Sequence, residues 1–482
     1  MTETTDPSGQ PALTADLCVI GAGAGGLSVA ASAAHLGARV ILIEENRMGG
    51  DCLHHGCVPS KALVAAAKAV AAARQAATFG IVLPPPVIDD QAVLGRMRAV
   101  IAGLQPVDSE QRFRALGVTV LKARARFVDA RTVEAGGRRI MARRYVIATG
   151  GQPVIPDIPG LADGPYLTHA TLFDLDRLPG RLAIIGGGAI GCELGQALRR
   201  LGVQVAIVDT GPLLANADDD ARSAVRRALL ADDVALFDTV QSLRIERGEP
   251  GGELVIGRAG QTEAWAFDRI LVAAGRRPAL DGLGLDEAGV TVSARGIVTR
   301  GPCRTSNRRV YAIGDCAEGG SSTHGASHQA GVVVRNALFR LPARPAPELV
   351  PRVIYTAPEI ASVGLSEPEA RAAEPACRVL RLPLCEIDRA RIDGDRAGIV
   401  KALVDRKGRI LGATVVAPHA GDLIAPWTLA LRQKLRVDDL ADVTMPYPTL
   451  SDATRRIALI GLAERLRGPW IGRLLRLLRV LG

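Results

Sequence analysis

The stretch that decides the fold is DLCVIGAGAGG, residues 16–26. An apolar run, which predicts a buried strand, leads into a Gly-x-Gly-x-x-Gly pattern and then into a small-residue segment with helical character. A second apolar run, residues 40–43, ends at Glu44. A glycine pattern alone indicates only a tight turn, but strand, glycine loop, helix, strand and acid together form a dinucleotide-binding βαβ unit. The sequence therefore predicts a dinucleotide site.

Each residue of this pattern has a physical role. Gly21 permits the tight turn, and Gly23 lets backbone N–H groups approach a pyrophosphate. Gly26 brings the helix close to the strand. Glu44, 23 residues after Gly21, is placed to accept a hydrogen bond from a ribose hydroxyl.

The same unit recurs further along the chain. The apolar run of residues 182–185 leads into a second glycine pattern, and residues 205–208 form a strand that ends at Asp209. The glycines of the second pattern are Gly186, Gly188 and Gly191. Two complete units predict two bound nucleotides. A carboxylate at Asp209 accepts from a free 2′-hydroxyl and repels a 2′-phosphate, so NADH is favoured and NADPH is the alternative.

A pair of cysteines, Cys52 and Cys57, lies in the segment GGDCLHHGCVPSK, residues 49–61. Five residues of ideal helix rise about 7.5 Å, whereas the Cα atoms of a disulfide lie about 4.4–6.8 Å apart. The pair can therefore close only where a helix starts or is distorted, and Gly56 and Pro59 supply a reason for distortion. A redox disulfide is one interpretation. A soft-metal site and two inert buried thiols are the others.

Composition limits the classes of function. At 482 residues the chain predicts two to four domains. The net charge of +9 is scattered and only 3% of residues are aromatic, which argues against nucleic-acid binding. Eight irregularly spaced cysteines do not form a secreted disulfide framework. Without a signal peptide or a long apolar run in the sequence, we expect a cytoplasmic protein.

The remaining segments complete the fold prediction. Residues 145–151 and 310–316 are further strands that end in glycine turns, and a proline-rich patch, residues 342–351, precedes β-rich sequence. Residues 1–14 are expected to form a disordered tail. We therefore predict an α/β protein with two Rossmann-like dinucleotide-binding domains and a C-terminal α+β domain.

These segments together resemble the flavin-dependent pyridine nucleotide–disulfide oxidoreductases, which include dihydrolipoamide dehydrogenase, glutathione reductase and mercuric reductase. The resemblance covers roughly residues 15–460. The matching motifs are the redox-disulfide segment at residues 49–61, the domain junction at 148–150, the flavin-ribitol turn at 314–315 and the opening of the dimer-interface domain at 353–364.

The resemblance implies a division of the chain and a homodimer. The predicted parts are an FAD-binding domain at residues 1–150 that returns at 276–346, an NAD(P)H-binding domain at 151–275, a dimerisation domain at 347–465 and a basic amphipathic helix at 466–482.

The resemblance also implies the chemistry. Electrons would pass from NADH to FAD, then to the Cys52–Cys57 disulfide, and on to a dithiol or disulfide substrate of the lipoyl type. Cys57 would lie next to the flavin, Cys52 would attack the substrate, and Lys61 would pair with Glu193. The other residues expected to bind cofactor are Gly50, Thr149, Gly150, Asp315, Gly275 and Arg276.

One segment departs from the family's disulfide reductases, because Tyr447 stands where a catalytic histidine belongs and Asp452 replaces a glutamate. A phenol is a poor base at neutral pH. Mercuric reductases resemble this chain in having a tyrosine there, but no cysteine follows Cys385 to form their C-terminal pair. We expect His54 or His55 to lower the pKa of Cys52 and act as acid–base; the alternatives are metal ligation and two partly exposed polar residues.

The C-terminal stretch, residues 465–481, is basic and amphipathic. Arginines lie on one side of the predicted helix and apolar residues on the other. These are Arg473, Arg476 and Arg479 against Trp470, Leu474, Leu477, Leu478 and Leu481. A leucine stripe of this kind is more often buried in a dimer; peripheral membrane contact or binding of a partner is the alternative. A slow redox sensor is the remaining hypothesis for the whole chain.

Overall fold

The structure, a computed structural model, describes residues 12–249, 251–320, 322–466 and 469–480. It forms two compact units. The first comprises Met1–Thr210 and Phe237–Pro345, and the second comprises Gly211–Leu236 and Ala346–Gly482. The finer division at residues 150, 275, 346 and 465 stays a prediction.

The first unit is built on a seven-stranded sheet whose central strands are parallel. In spatial order the strands are Thr119–Lys122, Val40–Glu44, Leu13–Ile20, Arg138–Ile147, Thr132–Ala135 and Ala125–Asp129, and Val310–Ala312 pairs with Arg138–Ile147. Hydrophobic clusters cover both faces, so the strand Val40–Glu44 is buried along its whole length. Strand Leu13–Ile20 begins within residues 1–14, so the predicted disordered tail is too long at its C-terminal end.

A second, five-stranded sheet in the first unit carries the second glycine pattern. Its strands in order are Ala235–Phe237, Gln204–Val208, Arg181–Ile185, Arg269–Val272 and Leu167–Thr168. A three-stranded antiparallel sheet is formed by Ser242–Arg247, Gly252–Arg258 and Gln261–Phe267. Two further sheets have two strands each. In one, Gly151–Pro153 pairs with Arg276–Pro278, and in the other, Val292–Ser293 pairs with Gly296–Ile297.

Helices of the first unit pack on these sheets. They are Ala24–His35, Gly50–His54, Cys57–Gln75, Asp90–Leu104, Glu110–Ala115, Ala189–Arg200 and Thr323–Phe339. Among the described residues, one helical run, Gly50–Phe79, is long and apolar enough to cross a bilayer by length and composition. It packs against Asp90–Leu104 and Ala189–Arg200 and buries Leu63 and Ala67, so it is a core helix.

The second unit contains a five-stranded antiparallel sheet. Its strands in order are Arg352–Ile354, Glu359–Gly364, Ile410–Ala417, Ile399–Val404 and Arg378–Pro383. The helices are Asp219–Ala231, Glu367–Ala373, Asp388–Ile392, Ala420–Leu423, Ala425–Arg432, Val437–Ala441, Asp452–Leu466 and Pro469–Val480. Trp427 is fully buried in the core of this unit. The predicted fold, two dinucleotide-binding βαβ units followed by an α+β domain, is confirmed.

The first glycine pattern leaves no room for side chains at two positions. Gly21 has φ +101°, a conformation that favours glycine. A Cβ at Gly26 would lie 1.8 Å from the carbonyl oxygen of Gly21. Likewise, a Cβ at Gly191 would lie 2.0 Å from the carbonyl oxygen of Gly186. In both units the helix touches the strand's turn, as the pattern predicts.

We predict that Gly26→Ala destabilises the protein, because the added methyl group must push the helix away from the turn. Overpacking of this kind costs about 1–3 kcal/mol or more. Gly95→Ala is the matched control, because Gly95 also lies within a helix but a Cβ there meets nothing within 4 Å. Thermal unfolding of both variants tests this. Equal melting temperatures for the two variants would contradict it.

Candidate active site

A cavity of about 780 Å³ opens in the first unit beside the first glycine pattern. Many of the residues predicted to bind cofactor line it: Gly21, Gly23, Glu44, Gly50, Thr149, Gly150, Arg276 and Asp315. A Cβ at Gly50 would lie 2.7 Å from the Cα of Gly23, so glycine is needed where these two segments meet. Gly23 is the N-cap of the helix Ala24–His35, and a Cβ there would meet no atom within 4 Å. This glycine-lined cradle at a helix N-terminus fits a flavin dinucleotide.

The acids of the two units hold the backbone in the same way. Glu44 accepts hydrogen bonds from the N–H groups of Ala22 and Asn46, each at 2.6 Å. Asp209 accepts from the N–H group of Gly187, also at 2.6 Å. Each carboxylate therefore lies against its own glycine loop, where a ribose would bind. Gly275 has φ +117° with open space around it and precedes Arg276.

The helix carrying the cysteines is broken between them. One helix, Gly50–His54, ends at His55, and the next, Cys57–Gln75, begins after Gly56, which has φ −129° and ψ −111°. The predicted distortion is therefore present. The structure holds Cys52 and Cys57 as free thiols, which is the reduced form of the pair.

The two thiols share one proton unequally. A hydrogen bond from Cys52 is the main reason that the pKa of Cys57 falls to about 6, and it correspondingly raises the pKa of Cys52, as does burial. The hydroxyl of Thr323, 3.3 Å from Cys57 Sγ, and the positive charge of Lys61 also favour the Cys57 thiolate. The sequence analysis missed Thr323, which lies at the start of a helix and lines the cavity.

The predicted ion pair between Lys61 and Glu193 is present. Lys61 Nζ lies 2.6 Å from Glu193 Oε2, and Glu193 is 6% exposed. The pair joins helix Cys57–Gln75 to helix Ala189–Arg200, the helix of the second glycine pattern. Lys61 follows Cys57 by one helical turn, so the pair holds the start of this helix and its charge near the thiolate.

Arg276 is the centre of a polar cluster in the cavity. Its guanidinium donates to Asp51 at 2.5 Å, to His169 at 2.6 Å and to Asp315 at 3.1 Å. Burial alone would raise the pKa of Asp51, but hydrogen bonds from His169, His55 and Arg276 hold it well below its usual range. Asp51 and His169 were not predicted as site residues. Asp51 lies within the cysteine segment, residues 49–61, but was given no role there, and His169 reaches the cavity only through the fold.

The contacts of His54 and His55 do not support the acid–base role predicted for them. His54 is buried and its Nε2 lies 2.9 Å from the carbonyl oxygen of Met48, while His55 Nδ1 lies 3.6 Å from Asp51. Within the described part of the chain neither imidazole hydrogen-bonds to Cys52, whose pKa is raised and not lowered.

Tyr447 and Asp452 have separate contacts in the second unit. The hydroxyl of Tyr447 donates to Asp388 at 3.2 Å, and its side chain is 72% exposed. Asp452 begins the helix Asp452–Leu466, and no hydrogen bond links it to Tyr447 in the described residues. The catalytic roles expected for both residues stay predictions.

The described residues contain no group of three or more His, Cys, Asp or Glu side chains arranged to hold a metal ion. In particular, His54 and His55 do not converge with the two cysteines. The remaining interpretation of residues 49–61 is a thiol pair beside a dinucleotide cavity.

Comparison with known proteins gives consistent matches along the chain. The family model for pyridine nucleotide-disulphide oxidoreductases matches residues 15–330, and the model for the dimerisation domain of these proteins matches residues 350–458. A dihydrolipoyl dehydrogenase of Thermus scotoductus is 36% identical, and the match covers 92% of this chain and 97% of that protein. A mercuric reductase of Lysinibacillus sphaericus is 33% identical over 92% of this chain and 82% of its own length.

Solved structures agree with these matches. LpdA of Mycobacterium tuberculosis superposes with a TM-score of 0.84 at 27% identity, covering 93% of this chain and 99% of that one. The Cu(II) complex of RclA, an HOCl-induced flavoprotein disulfide reductase of Escherichia coli, gives a TM-score of 0.80 at 26% identity, covering 93% and 99%.

We predict that the rate of Cys57 alkylation in the reduced, FAD-loaded protein rises as the pH passes about 6. Only the thiolate is nucleophilic, and a free cysteine would require a pH near about 8.5. Lys61→Met removes a positive charge that favours the thiolate, so its midpoint should move to higher pH. The measurement is iodoacetamide labelling across a pH series, followed by mass spectrometry of the Cys57 peptide.

Lys68→Met is the control for this experiment, because Lys68 lies on the same helix two turns further on. It should leave the midpoint unchanged. A wild-type midpoint near about 8.5, the value of a free thiol, would contradict a stabilised Cys57 thiolate.

Proposed function

The chain belongs to the pyridine nucleotide-disulphide oxidoreductases, and on that premise we propose that it reduces or oxidises a dithiol/disulfide substrate of the lipoyl type with NADH. The family makes it an NAD(P)H-dependent flavoprotein with FAD as cofactor, and it includes a dimerisation domain. The observation that supports the substrate class is the thiol pair, with a low-pKa Cys57 beside the dinucleotide cavity. We place this activity in the cytoplasm.

The chain's own residues supply the thiol chemistry. FAD, when bound, carries two electrons between the nicotinamide and the cysteine pair. Cys52 attacks the substrate disulfide, and its proton passes along the existing hydrogen bond to Cys57. One substrate thiol leaves, and a mixed disulfide with Cys52 forms. Cys57 passes the proton it received to the departing substrate sulfur and, as a thiolate, attacks the sulfur of Cys52. The bond between Cys52 and the substrate breaks, the second substrate sulfur leaves as a thiolate, and the Cys52–Cys57 disulfide closes.

The proton transfer from Cys52 to Cys57 replaces part of the acid–base role of the family's histidine, a role that the phenol of Tyr447 cannot fill. In the proposed homodimer, Tyr447 of one chain faces the cysteines of the other, in the place of the family's histidine. Its hydroxyl already donates to Asp388, which fixes the side chain as a hydrogen-bond donor and not a base. The second leaving substrate thiolate therefore takes its proton from water.

Tyr447 also favours a second candidate function, reduction of a soft metal ion such as Hg²⁺. A metal ion bound by the two sulfurs needs thiolate ligands and no proton shuttle. Several similar proteins are mercuric reductases.

NADH-dependent turnover of lipoamide, glutathione disulfide and Hg²⁺ separates these candidates. We expect rapid turnover of a dithiol/disulfide substrate, and at least about a thousandfold loss in Cys52→Ser, which removes the attacking sulfur. Ser60→Ala, on the following helix Cys57–Gln75, is the control. Rapid turnover of Hg²⁺ alone would support the metal candidate instead. Uniformly slow turnover would overturn both and favour a redox sensor.

The proposed preference for NADH depends on Asp209. We predict that Asp209→Ala narrows the ratio of kcat/KM for NADH over NADPH by about tenfold or more, because the carboxylate that repels a 2′-phosphate is gone. Asp232→Ala, which removes a half-exposed carboxylate elsewhere, should leave the ratio unchanged. A wild-type protein that uses NADPH better than NADH would contradict the preference.

A further inference from the structure

The last described helix, Pro469–Val480, has an uncovered apolar side. Its sequence, PWIGRLLRLLRV, contains three arginines and no acid. Leu474 is 42% exposed, Leu475 52%, Leu477 59% and Leu478 50%. So many half-exposed leucines on one short helix are unusual, because a soluble surface helix normally turns its apolar residues inward.

The arginines and the leucines divide the helix surface between them. At 100° per residue, Arg473, Arg476 and Arg479 fall within an arc of about 120°. Five apolar residues occupy an opposing arc of about 160°, while Val480 falls among the arginines. They are Ile471, Leu474, Leu475, Leu477 and Leu478. A helix that pairs with a single second helix presents a narrower stripe, whereas a helix lying in a lipid interface presents a broad apolar face.

We propose that Pro469–Val480, named here the arginine helix, binds the surface of a membrane that contains anionic phospholipid. The leucine arc enters the boundary between headgroups and acyl chains, and the arginines lie at the level of the phosphates. Charge selects this partner, because a helix with three cations and no acid is complementary to an anionic surface and not to a second copy of itself.

Binding of this kind is peripheral. Twelve residues of helix extend only about 18 Å, which is too short to span a hydrocarbon core of about 30 Å. In a homodimer two arginine helices are present, and their simultaneous binding strengthens attachment through effective concentration. The flavoprotein would thereby work at a membrane surface, a property independent of which disulfide it reduces.

The test is co-sedimentation of the full-length, FAD-loaded protein with vesicles. We expect binding to vesicles of phosphatidylglycerol and phosphatidylcholine in equal parts, little binding to pure phosphatidylcholine, and release by high salt. The triple variant Arg473→Gln, Arg476→Gln, Arg479→Gln should bind more weakly by on the order of a hundredfold. Leu474→Gln with Leu478→Gln should abolish binding, because the apolar face no longer inserts.

A matched charge control is Arg406→Gln, Lys407→Gln, Arg432→Gln, which removes three exposed cations elsewhere in the second unit. It should bind like the wild type. Failure of the wild type to sediment with anionic vesicles, or equal loss in the two triple variants, would overturn the proposal.

Burial of the leucine arc within the dimer is the competing outcome. If the two leucine substitutions dissociate the dimer on size-exclusion chromatography, the arc is a subunit contact and the proposal fails. If the dimer and the NADH-dependent reduction of the flavin are unchanged while vesicle binding is lost, the proposal stands. The enzymatic readout also shows that each variant is folded.

Discussion

The break in the helix at Gly56 is the constraint on which the rest of the active site depends. An uninterrupted helix would carry Cys52 and Cys57 to different faces at a separation too large for a disulfide. Because the chain stops one helix at His55 and starts another at Cys57, the two sulfurs come within hydrogen-bonding reach. The second helix then continues without interruption and carries Lys61 to Glu193.

Charge around the pair is arranged asymmetrically. Cys57 receives a hydrogen bond from Cys52, another from Thr323 and the field of Lys61, all of which favour its thiolate. Cys52 also has a hydrogen bond to Thr323, but its bond to Cys57, its burial and the negative charge of Cys57 outweigh this and raise its pKa. The asymmetry assigns different tasks to two chemically identical side chains. The resemblance implied the same assignment, with Cys57 beside the flavin and Cys52 on the substrate side.

The cavity beside the thiol pair contains a cluster of oppositely charged side chains. Arg276 is flanked by Asp51 and Asp315, so a cation faces two carboxylates while His169 accepts a hydrogen bond from it. The half-buried guanidinium is held from several sides, because each of these neighbours offers it a hydrogen-bond acceptor. In the second unit, Lys401, 2% exposed, is held in a comparable way by Asp218, Asp220 and Glu367.

The sequence by itself determined the fold class, both dinucleotide units and the family, because these depend on local patterns: glycines at fixed spacing, apolar strands and an acid at the strand end. It also identified Lys61 and Glu193, through two separate motifs that the resemblance aligned. Only the tertiary structure decided which groups meet across the chain. Thr323, His169 and Asp388 lie far in sequence from the residues they contact, so no local sequence pattern predicts these contacts. The contacts of His54 and His55 also depend on the tertiary structure, because the local sequence does not specify the backbone conformation of the helix break at Gly56.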